Sequence, residues 1–187
     1  MIVLASKSPR RKALISEFLT SDFLTYNCDI DEDLSLHLVD PILIVRDIAK
    51  RKGEFAYKNF NKEDIIISAD TIVYIDKTIL GKPKDEDDAY RILKLLSNKT
   101  HYVATAYSII HNNKCILKHV ISEVTFNELS DELIRHYISS KSPLDKAGAY
   151  GIQDNEKYHI IKEYKGSYYN IVGLPIEELL ESLKEIK

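Results

Sequence analysis

The segment that decides the fold lies at the start of the chain and reads Ile2-Val3-Leu4-Ala5-Ser6-Lys7-Ser8-Pro9-Arg10-Arg11. Its first four residues are apolar and predict a short buried strand. Ser8 and Pro9 then serve as the N-cap and the first residue of a helix that is expected to end near Leu19. The apolar stripe of this helix is expected to consist of Ala13, Leu14, Ile15 and Phe18. A strand that passes through a short turn into a helix favours an α/β architecture.

The rest of the chain continues this alternation of strands and helices. Asp40-Pro41 is a second helix start, and apolar residues keep helical spacing to about Asn59. Spacing and β-branched content predict strands over 65–75, 78–80, 102–110 and 115–126, and helices over 85–97, 130–139 and from 175 to about Lys187. The tract 143–173 is expected to form loops and short strands.

The composition bounds the classes of function. The 187 residues suffice for one domain or for two small lobes that share a cleft. Hydrophobic residues make up 44% and charged residues 29%, which is ordinary for a soluble globular protein. The formal net charge is −3, so no overall field attracts nucleic acid or an anionic membrane. We therefore expect neither a nucleic acid polymer nor a membrane as a partner.

The chain also carries no sign of export. The apolar stretch after Met1 is too short for the core of a signal peptide, and no segment approaches the ~20 apolar residues of a membrane span. Cys28 and Cys115 have no metal-binding spacing and are expected to be free thiols in a reducing compartment. These features predict a cytoplasmic protein.

The turn between the first strand and the first helix is a candidate phosphate site. Backbone N–H groups at a helix N-terminus attract anions, and ligands of α/β sheets gather at such turns. Two hydroxyls and three basic side chains stand there: Ser6, Ser8, Lys7, Arg10 and Arg11. The alternative is a capped helix whose basic residues are merely solvated.

Asp70 is the second unusual residue, because it interrupts an apolar, β-branched run over 65–73. A buried carboxylate is costly unless a metal ion or a nearby cation compensates its charge. The alternative is an acid at a strand end that caps a neighbouring turn. Glu32 belongs to an acidic loop with Asp29, Asp31 and Asp33, which is either a solvated run or a source of hard oxygen ligands for a divalent cation.

Two lysines complete the set of candidate residues. Lys52 falls on the apolar stripe of the second helix, where a lysine usually extends its ammonium group to water. If it points into a cleft instead, it supplies one fixed positive charge. Lys82 stands between Gly81 and Pro83 in a stiff loop, which on its own indicates only a turn.

Five segments in order resemble the Maf family of nucleotide pyrophosphatases. They read Leu4-Ala5-Ser6-Lys7-Ser8-Pro9-Arg10-Arg11, Ser68-Ala69-Asp70-Thr71-Ile72-Val73, Gly81-Lys82-Pro83, Asp145-Lys146-Ala147-Gly148-Ala149-Tyr150-Gly151-Ile152-Gln153 and Gly166-Ser167-Tyr168-Tyr169-Asn170-Ile171-Val172-Gly173-Leu174-Pro175. The resemblance extends from residue 2 to about residue 180 without a large gap. Five such motifs in sequence are far more specific than one.

The resemblance implies a fold and an activity. The fold is α/β, the elongated two-lobed inosine-triphosphatase-like (Maf/Ham) fold, with a mixed β-sheet and a central cleft in a single domain over 1–187. The activity is hydrolysis of the nucleoside triphosphates dTTP and UTP to the monophosphate and pyrophosphate. A divalent cation, Mg²⁺ or Mn²⁺, and a possible homodimer are also implied.

The family pattern implies roles for residues that match its motifs. Asp70 is the proton acceptor that activates water, and Glu32 and Asp70 bind the metal. Arg10, Thr71 and Gln153 occupy the positions associated with choice of the base.

A third group of residues is expected to bind the phosphates. Lys52 and Lys82 match family positions that contact the phosphates or the metal. Ser6, Ser8 and Arg11 join them from the turn at the start of the first helix.

The departures from the family pattern are small. Asn98 and Ala106 replace glycines that are frequent in the family, and asparagine tolerates the left-handed conformation that glycine adopts. Asp154 follows Gln153 where glycine is common, which leaves the shape of that loop open.

Two other functions stay open at this point. One is a nucleotide-binding regulator of septum formation and cell division, suggested by analogy with the naming of the family. The other is a pyrophosphatase of the same fold that prefers modified nucleotides.

Overall fold

The computed structural model describes residues 1–32 and 38–186, which form seven strands and seven α-helices. The strands are β1 (Ile2–Ala5), β2 (Leu24–Thr25), β3 (Ile65–Ile75), β4 (Thr78–Leu80), β5 (Thr100–His111), β6 (Lys114–Phe126) and β7 (Ile161–Lys165). The helices are α1 (Pro9–Phe18), α2 (Pro41–Tyr57), α3 (Glu86–Leu96), α4 (Asp131–Ser139), α5 (Asn155–Tyr158), α6 (Tyr168–Val172) and α7 (Ile176–Ile186). The predicted α/β class is confirmed.

The strands form one mixed sheet in the order β2-β1-β3-β5-β6-β7, and β4 pairs with β3. Strand β1 is parallel to both β2 and β3, with Leu4 opposite Ile67 in the second pair. The β3–β4 and β6–β7 pairs are antiparallel. The sheet is therefore mixed, as the family resemblance implied.

Local capping signals account for the helix starts. Ser8 accepts a hydrogen bond from the backbone N–H of Arg11 at 3.4 Å, and Asp40 accepts from Ile42 and Leu43 at 2.8 and 3.1 Å. Each cap satisfies N–H groups that have no partner within the helix itself. The two predicted helix starts with proline at the first position are confirmed.

Some expectations about the elements were wrong or lie outside the described residues. In α1 the buried residues are Leu14 and Ile15, whereas Ala13 and Phe18, expected on the same apolar stripe, are exposed. The tract 143–173 contains one strand, β7, and is otherwise built of short helices and 3-10 turns. Residues with positive φ angles, such as Gly148, do not continue an extended strand in this tract. Asp33, predicted to belong to the acidic loop, and Lys187, predicted to end the last helix, lie outside the described residues.

The chain divides into two compact units. The first takes in Met1–Thr71, Thr105–Val120 and the segment from Gly173 onward, and the second takes in Ile72–Ala104 and Ile121–Val172. Strands β3, β5 and β6 contribute residues to both. Among the described helices, none combines the length and apolar content that crossing a membrane requires. The expectation of one domain with a central cleft stays a prediction.

In the first unit, helix α2 approaches the sheet closely at Gly53. A Cβ atom at this position would lie 2.3 Å from Ser108 Oγ and 3.0 Å from Ser68 Oγ, so a larger residue would force a neighbouring group to shift. Ser68 donates to the carbonyl of Ala49 at 2.6 Å and pairs with Ser108 at 2.8 Å, which satisfies these buried hydroxyls. This close approach brings the neighbouring residue, Lys52, towards strand β3.

The core of the second unit includes a buried histidine, His101. Its Nε2 atom pairs with the hydroxyl of Tyr150 at 2.8 Å, and its ring packs edge-on against Phe126 and Tyr150. Burial lowers the pKa of His101 to about 3, because the charged imidazolium loses its hydration there. His101 is therefore neutral at physiological pH.

Candidate active site

The turn between β1 and α1 is held by its own hydroxyls. Ser8 caps α1, and its backbone N–H donates to Ser6 Oγ at 3.2 Å. Ser6 is itself buried, with 9% of its surface exposed. The turn thus links a buried strand to the N-terminus of a helix, as the sequence predicted.

Arg11 connects this turn to two other segments of the first unit. Its Nε atom donates to the carbonyl of Gly173 at 2.8 Å. One terminal nitrogen donates to the carbonyl of Ala69 at 2.9 Å and to Ser6 Oγ at 3.3 Å, and the other donates to Thr71 Oγ1 at 3.0 Å. The planar guanidinium therefore contacts both neighbours of Asp70 in strand β3.

Within the first unit, the side chains of Asp70 and Lys52 form an ion pair. Asp70 Oδ1 lies 2.8 Å from Lys52 Nζ, and both side chains are only 13% exposed. The same ammonium group lies 2.7 Å from Glu32 Oε1, whose side chain is 54% exposed. Lys52 therefore does not extend to water, which was the usual outcome for a lysine on an apolar stripe, but binds two carboxylates.

Burial and charge act in opposite directions on this cluster. Burial raises the pKa of the Asp70 carboxyl above its usual value, although the positive charges of Lys52 and Arg11 oppose the rise. Burial lowers the pKa of Lys52, but the carboxylates of Asp70 and Glu32 outweigh it, and the pKa of Lys52 is raised. Asp70 is accordingly a stronger base than a solvated aspartate, and Lys52 stays charged.

Arg10 and Arg11 differ in their surroundings although they are adjacent in α1. Burial lowers the pKa of Arg11; the Asp70 carboxylate opposes this change, and the positive charge of Arg10 adds to it. Arg10 is half-buried in the first turn of the helix. The sequence predicted Arg11 for phosphate and Arg10 for base choice, and both roles stay predictions.

The two carboxylates that contact Lys52 Nζ are ligands of the kind that suits a hard divalent cation. Two carboxylates, from Glu32 and Asp70, converge on one cationic group at 2.7 and 2.8 Å. Mg²⁺ is commonly held by one or two carboxylates together with substrate phosphates and waters. Over residues 1–32 and 38–186, no group of three or more His, Cys, Asp or Glu side chains forms a metal site on its own.

Lys82 and Gln153 belong to the second unit. Lys82 is exposed in the loop after β4, where the carbonyl of Gly81 accepts from the backbone N–H of Gly148 at 3.1 Å. Gly148 has a φ of +71°, and a Cβ atom there would lie 2.9 Å from Val73, so the loop contact requires glycine. The predicted roles of Lys82 and Gln153 in binding substrate stay predictions.

The loop that carries Gln153 is anchored by its neighbour Asp154. Gln153 is exposed in a 3-10 turn, Ile152–Asp154. Asp154 Oδ2 accepts from the hydroxyl of Tyr137 at 2.6 Å and from Ser142 Oγ at 2.7 Å. Asp154, which stands where the resemblance implied a glycine, therefore holds this turn in place. Asn98, with a φ of 56°, adopts the left-handed conformation expected of it.

Sequence reasoning missed two groups that contact Thr71. Thr105 in β5 is fully buried, and its hydroxyl lies 2.9 Å from Thr71 Oγ1. The carbonyl of Gly173 accepts from both Arg11 and Thr71, at 2.8 and 3.3 Å. Thr105 could have been noticed as a polar residue within an apolar strand, because a buried hydroxyl needs a partner.

Comparison with known proteins gives consistent matches over the whole chain. Residues 1–186 match the family described as Maf-like protein. A Thermococcus onnurineus protein named dTTP/UTP pyrophosphatase is 44% identical over 186 residues, covering 100% of this chain and 97% of the relative. Proteins of the same name from Clostridium beijerinckii and Bacillus cereus (strain G9842) are each 42% identical. They cover 100% and 98% of this chain, and 99% and 94% of their own lengths.

Proposed function

This chain belongs to the Maf family, and from this premise we propose that it is a nucleoside triphosphate pyrophosphatase that hydrolyses dTTP and UTP. Relatives that carry the name dTTP/UTP pyrophosphatase align with 98–100% of this chain at 42–44% identity. The observation that supports the proposal most is the near-buried carboxylate of Asp70, which lies against the ammonium of Lys52. A buried acid with a raised pKa beside fixed cations suits general-base catalysis on an anionic substrate.

In the proposed reaction, Asp70 orients a water molecule and accepts its proton as the water oxygen attacks the α-phosphorus. The bond from this phosphorus to the bridging oxygen breaks, and its electron pair leaves with pyrophosphate. A Mg²⁺ or Mn²⁺ ion held by Glu32 and Asp70 would neutralise phosphate charge and lower the pKa of bound water. Burial raises the pKa of the Asp70 carboxyl, whereas a bound cation would lower it, so Asp70 need only orient the attacking water and accept its proton as the attack proceeds.

The proposed phosphate-binding residues supply the charge that the overall composition lacks. Lys52 and Arg11 are cations fixed near Asp70, and Ser6 and Ser8 stand at the N-terminus of α1, where backbone N–H groups favour anions. Lys82 is proposed as a further phosphate ligand from the second unit. Fixed positive groups stabilise the charge that develops on the departing pyrophosphate.

We propose that Arg10, Thr71 and Gln153 determine the choice of base. Thymine and uracil share one edge, formed by O2, N3–H and O4, which the amide of Gln153 can match with one donor and one acceptor. Cytosine inverts this pattern, and a site built for the first edge would be left with unpaired polar groups. A site that reads this edge need not exclude the 5-methyl group, so it accepts both dTTP and UTP.

The activity is tested by pyrophosphate release from dTTP, UTP, CTP, 7-methyl-GTP and ITP in the presence of Mg²⁺. We expect turnover with dTTP and UTP and little with the others. Stoichiometric binding without release would favour a nucleotide-binding regulator of cell division. Turnover confined to 7-methyl-GTP or ITP would favour a pyrophosphatase for modified or non-standard nucleotides.

The assignment of the base is tested by Asp70→Asn, which keeps the size of the side chain but cannot accept the proton. We expect hydrolysis to fall by at least about 1,000-fold while near-UV circular dichroism stays native. Asp76→Asn is the matched control, because Asp76 is exposed in the turn after β3. Full activity of a folded Asp70→Asn protein would remove Asp70 from this role.

The metal, the assembly and the location complete the proposal. Activity is expected to vanish with a chelator and to return with Mg²⁺ or Mn²⁺. A homodimer and a cytoplasmic location rest on the family resemblance and on the sequence. Light scattering of the purified chain would reject the dimer if the mass stays at 21.5 kDa at all concentrations.

A further inference from the structure

Thr105 is a buried residue of β5 that none of the proposed site assignments uses. Its hydroxyl lies 2.9 Å from Thr71 Oγ1, the side chain that follows Asp70 in strand β3. Thr71 Oγ1 also accepts from Arg11 at 3.0 Å and lies 3.3 Å from the carbonyl oxygen of Gly173. Three groups from distant parts of the first unit thus meet at one hydroxyl.

The chemistry of these groups fixes the direction of each hydrogen bond. A hydroxyl donates one proton and accepts up to two, a guanidinium only donates and a carbonyl only accepts. Thr71 therefore accepts from Arg11 and donates to Gly173. The one remaining acceptor position of Thr71 is filled by the proton of Thr105. All three contacts are satisfied together only when Thr105 is the donor.

This arrangement holds the residues on both sides of Asp70. Arg11 binds the carbonyl of Ala69 at 2.9 Å and the hydroxyl of Thr71 at 3.0 Å. Thr105 and Gly173 hold that same hydroxyl from other directions. Because Asp70 lies between the two anchored residues, the direction of its side chain towards Lys52 is set by this network. The hydroxyl of Thr71 has all its hydrogen-bonding positions in use within the protein.

We propose that Thr105 is a positioning residue of the reaction: by donating to Thr71, it completes the network that aims the Asp70 carboxylate. The inference rests on the proposed function, since it concerns the placement of the proposed base. It also implies that Thr71 takes part in the choice of base through its position in the network and not by donating a hydrogen bond to the substrate. A small displacement of a catalytic carboxylate lowers the rate strongly, because the reacting atoms must be aligned.

The test compares Thr105→Val, Thr105→Ser, Thr71→Val and the double variant Thr71→Val/Thr105→Val in steady-state hydrolysis of dTTP and UTP. Valine keeps the shape of threonine and removes the hydroxyl. We expect Thr105→Val to lower kcat about fivefold on both substrates, because a change of this size corresponds to the loss of one neutral hydrogen bond. KM is expected to stay within a factor of about two of the wild-type value. Thr105→Ser, which keeps the hydroxyl, is expected to restore kcat.

The double variant separates a shared network from independent effects. If both hydroxyls act through one network, the double variant is no slower than Thr71→Val alone. Thr100→Val is the matched control, because Thr100 lies on the same strand and pairs with Thr125 at 2.8 Å, but this pair is exposed. Its kcat is expected to match that of the wild type.

Several results would overturn the inference. They are wild-type kinetics for Thr105→Val, a loss confined to KM, failure of serine to rescue, and multiplicative effects in the double variant. Thr105→Ala provides a second hydroxyl-free variant if valine prevents folding, as judged by thermal unfolding. A wild-type protein that releases no pyrophosphate overturns the proposed function and this inference together, whereas an active wild type with an inert Thr105 overturns the inference alone.

Discussion

Lys52 Nζ lies 2.8 Å from Asp70 Oδ1, and each of the two side chains is 13% exposed. The two residues belong to α2 and β3, and the ammonium group also holds Glu32 at 2.7 Å. We propose that this lysine neutralises the proposed base before substrate arrives and offers its charge to phosphate afterwards. The pair is therefore the most informative place for mutation.

Lys52→Met retains the apolar stem and removes the charge. We expect kcat/KM to fall about 100-fold, as when one charge-stabilising donor is lost from an active site. Stability should fall by about 3 kcal/mol, because the carboxylate of Asp70 is left buried without its partner. Lys50→Met, on the exposed side of the same helix, is the control. Equal activity of the two variants would contradict the proposed role of Lys52.

The same substitution is expected to change the pH dependence of the reaction. Lys52 lowers the pKa of Asp70, which burial raises, so its removal raises that pKa further. A general base works only when it is deprotonated, and the acidic limb of the kcat/KM profile should therefore move to higher pH. The profile is measured for residual activity with dTTP between pH 5 and pH 9. A limb that stays in place or moves to lower pH would contradict this assignment.

Lys82→Ala tests the proposed phosphate ligand of the second unit. We expect kcat/KM to fall at least about tenfold, since a charge-assisted hydrogen bond to phosphate is lost. Lys84→Ala is a close control, because Lys84 is also exposed and lies two residues further along the same loop. A ratio near one between the two variants would remove Lys82 from the site.

Gly53→Ala tests the close approach of α2 to the sheet. The added methyl group would lie 2.3 Å from Ser108 Oγ, and we expect stability to fall by about 1–3 kcal/mol in urea unfolding. The double variant Gly53→Ala/Ser108→Ala removes the oxygen that the methyl group meets. It should regain part of the loss relative to Ser108→Ala alone. Wild-type stability of Gly53→Ala would show that the helix can shift without cost.

His101 predicts a loss of stability in acid. Its pKa is lowered to about 3 in the folded protein, whereas it is about 6.5 in an unfolded chain. Between these values the unfolded chain binds a proton that the folded protein does not. The contribution of His101 to the free energy of unfolding is therefore fully present above pH 6.5 and is lost, by up to about 1.4 kcal/mol per pH unit, as the pH decreases below this value. His101→Gln cannot titrate and should flatten this slope in urea unfolding at pH 7.5, 6.5 and 5.5. His136→Gln, on an exposed residue of α4, is the control; identical slopes for all three proteins would refute the prediction.

The sequence predicted the elements whose signals are local. Ser8-Pro9 and Asp40-Pro41 begin helices as expected, and the β-branched run around Asp70 forms strand β3. The tract 143–173 was predicted less well because turns with positive φ, such as that at Gly148, follow from packing against Val73 and not from a periodic pattern.

The sequence indicated the residues of the candidate site better than it indicated the contacts between them. Lys52 was ambiguous, because an apolar stripe usually sends a lysine to water, and the contact at Gly53 that turns it towards β3 joins distant residues. The partners of Arg11 are likewise set by folding, since the sequence gives no hint which of its donors the protein itself uses. Thr105 was missed although it is a polar residue in an apolar strand, because its partner Thr71 lies 34 positions away in the sequence.

The contact between Arg11 and the carbonyl of Gly173 joins residues 162 positions apart. During synthesis, the N-terminal turn is made long before residue 173 leaves the ribosome, so this bond forms only when almost the whole chain is available. Such long-range closure is slow compared with helix formation. A chain cut short before Gly173 lacks the acceptor for Arg11, so the hydrogen bonds that hold the residues beside Asp70 are complete only once almost the whole chain has been made.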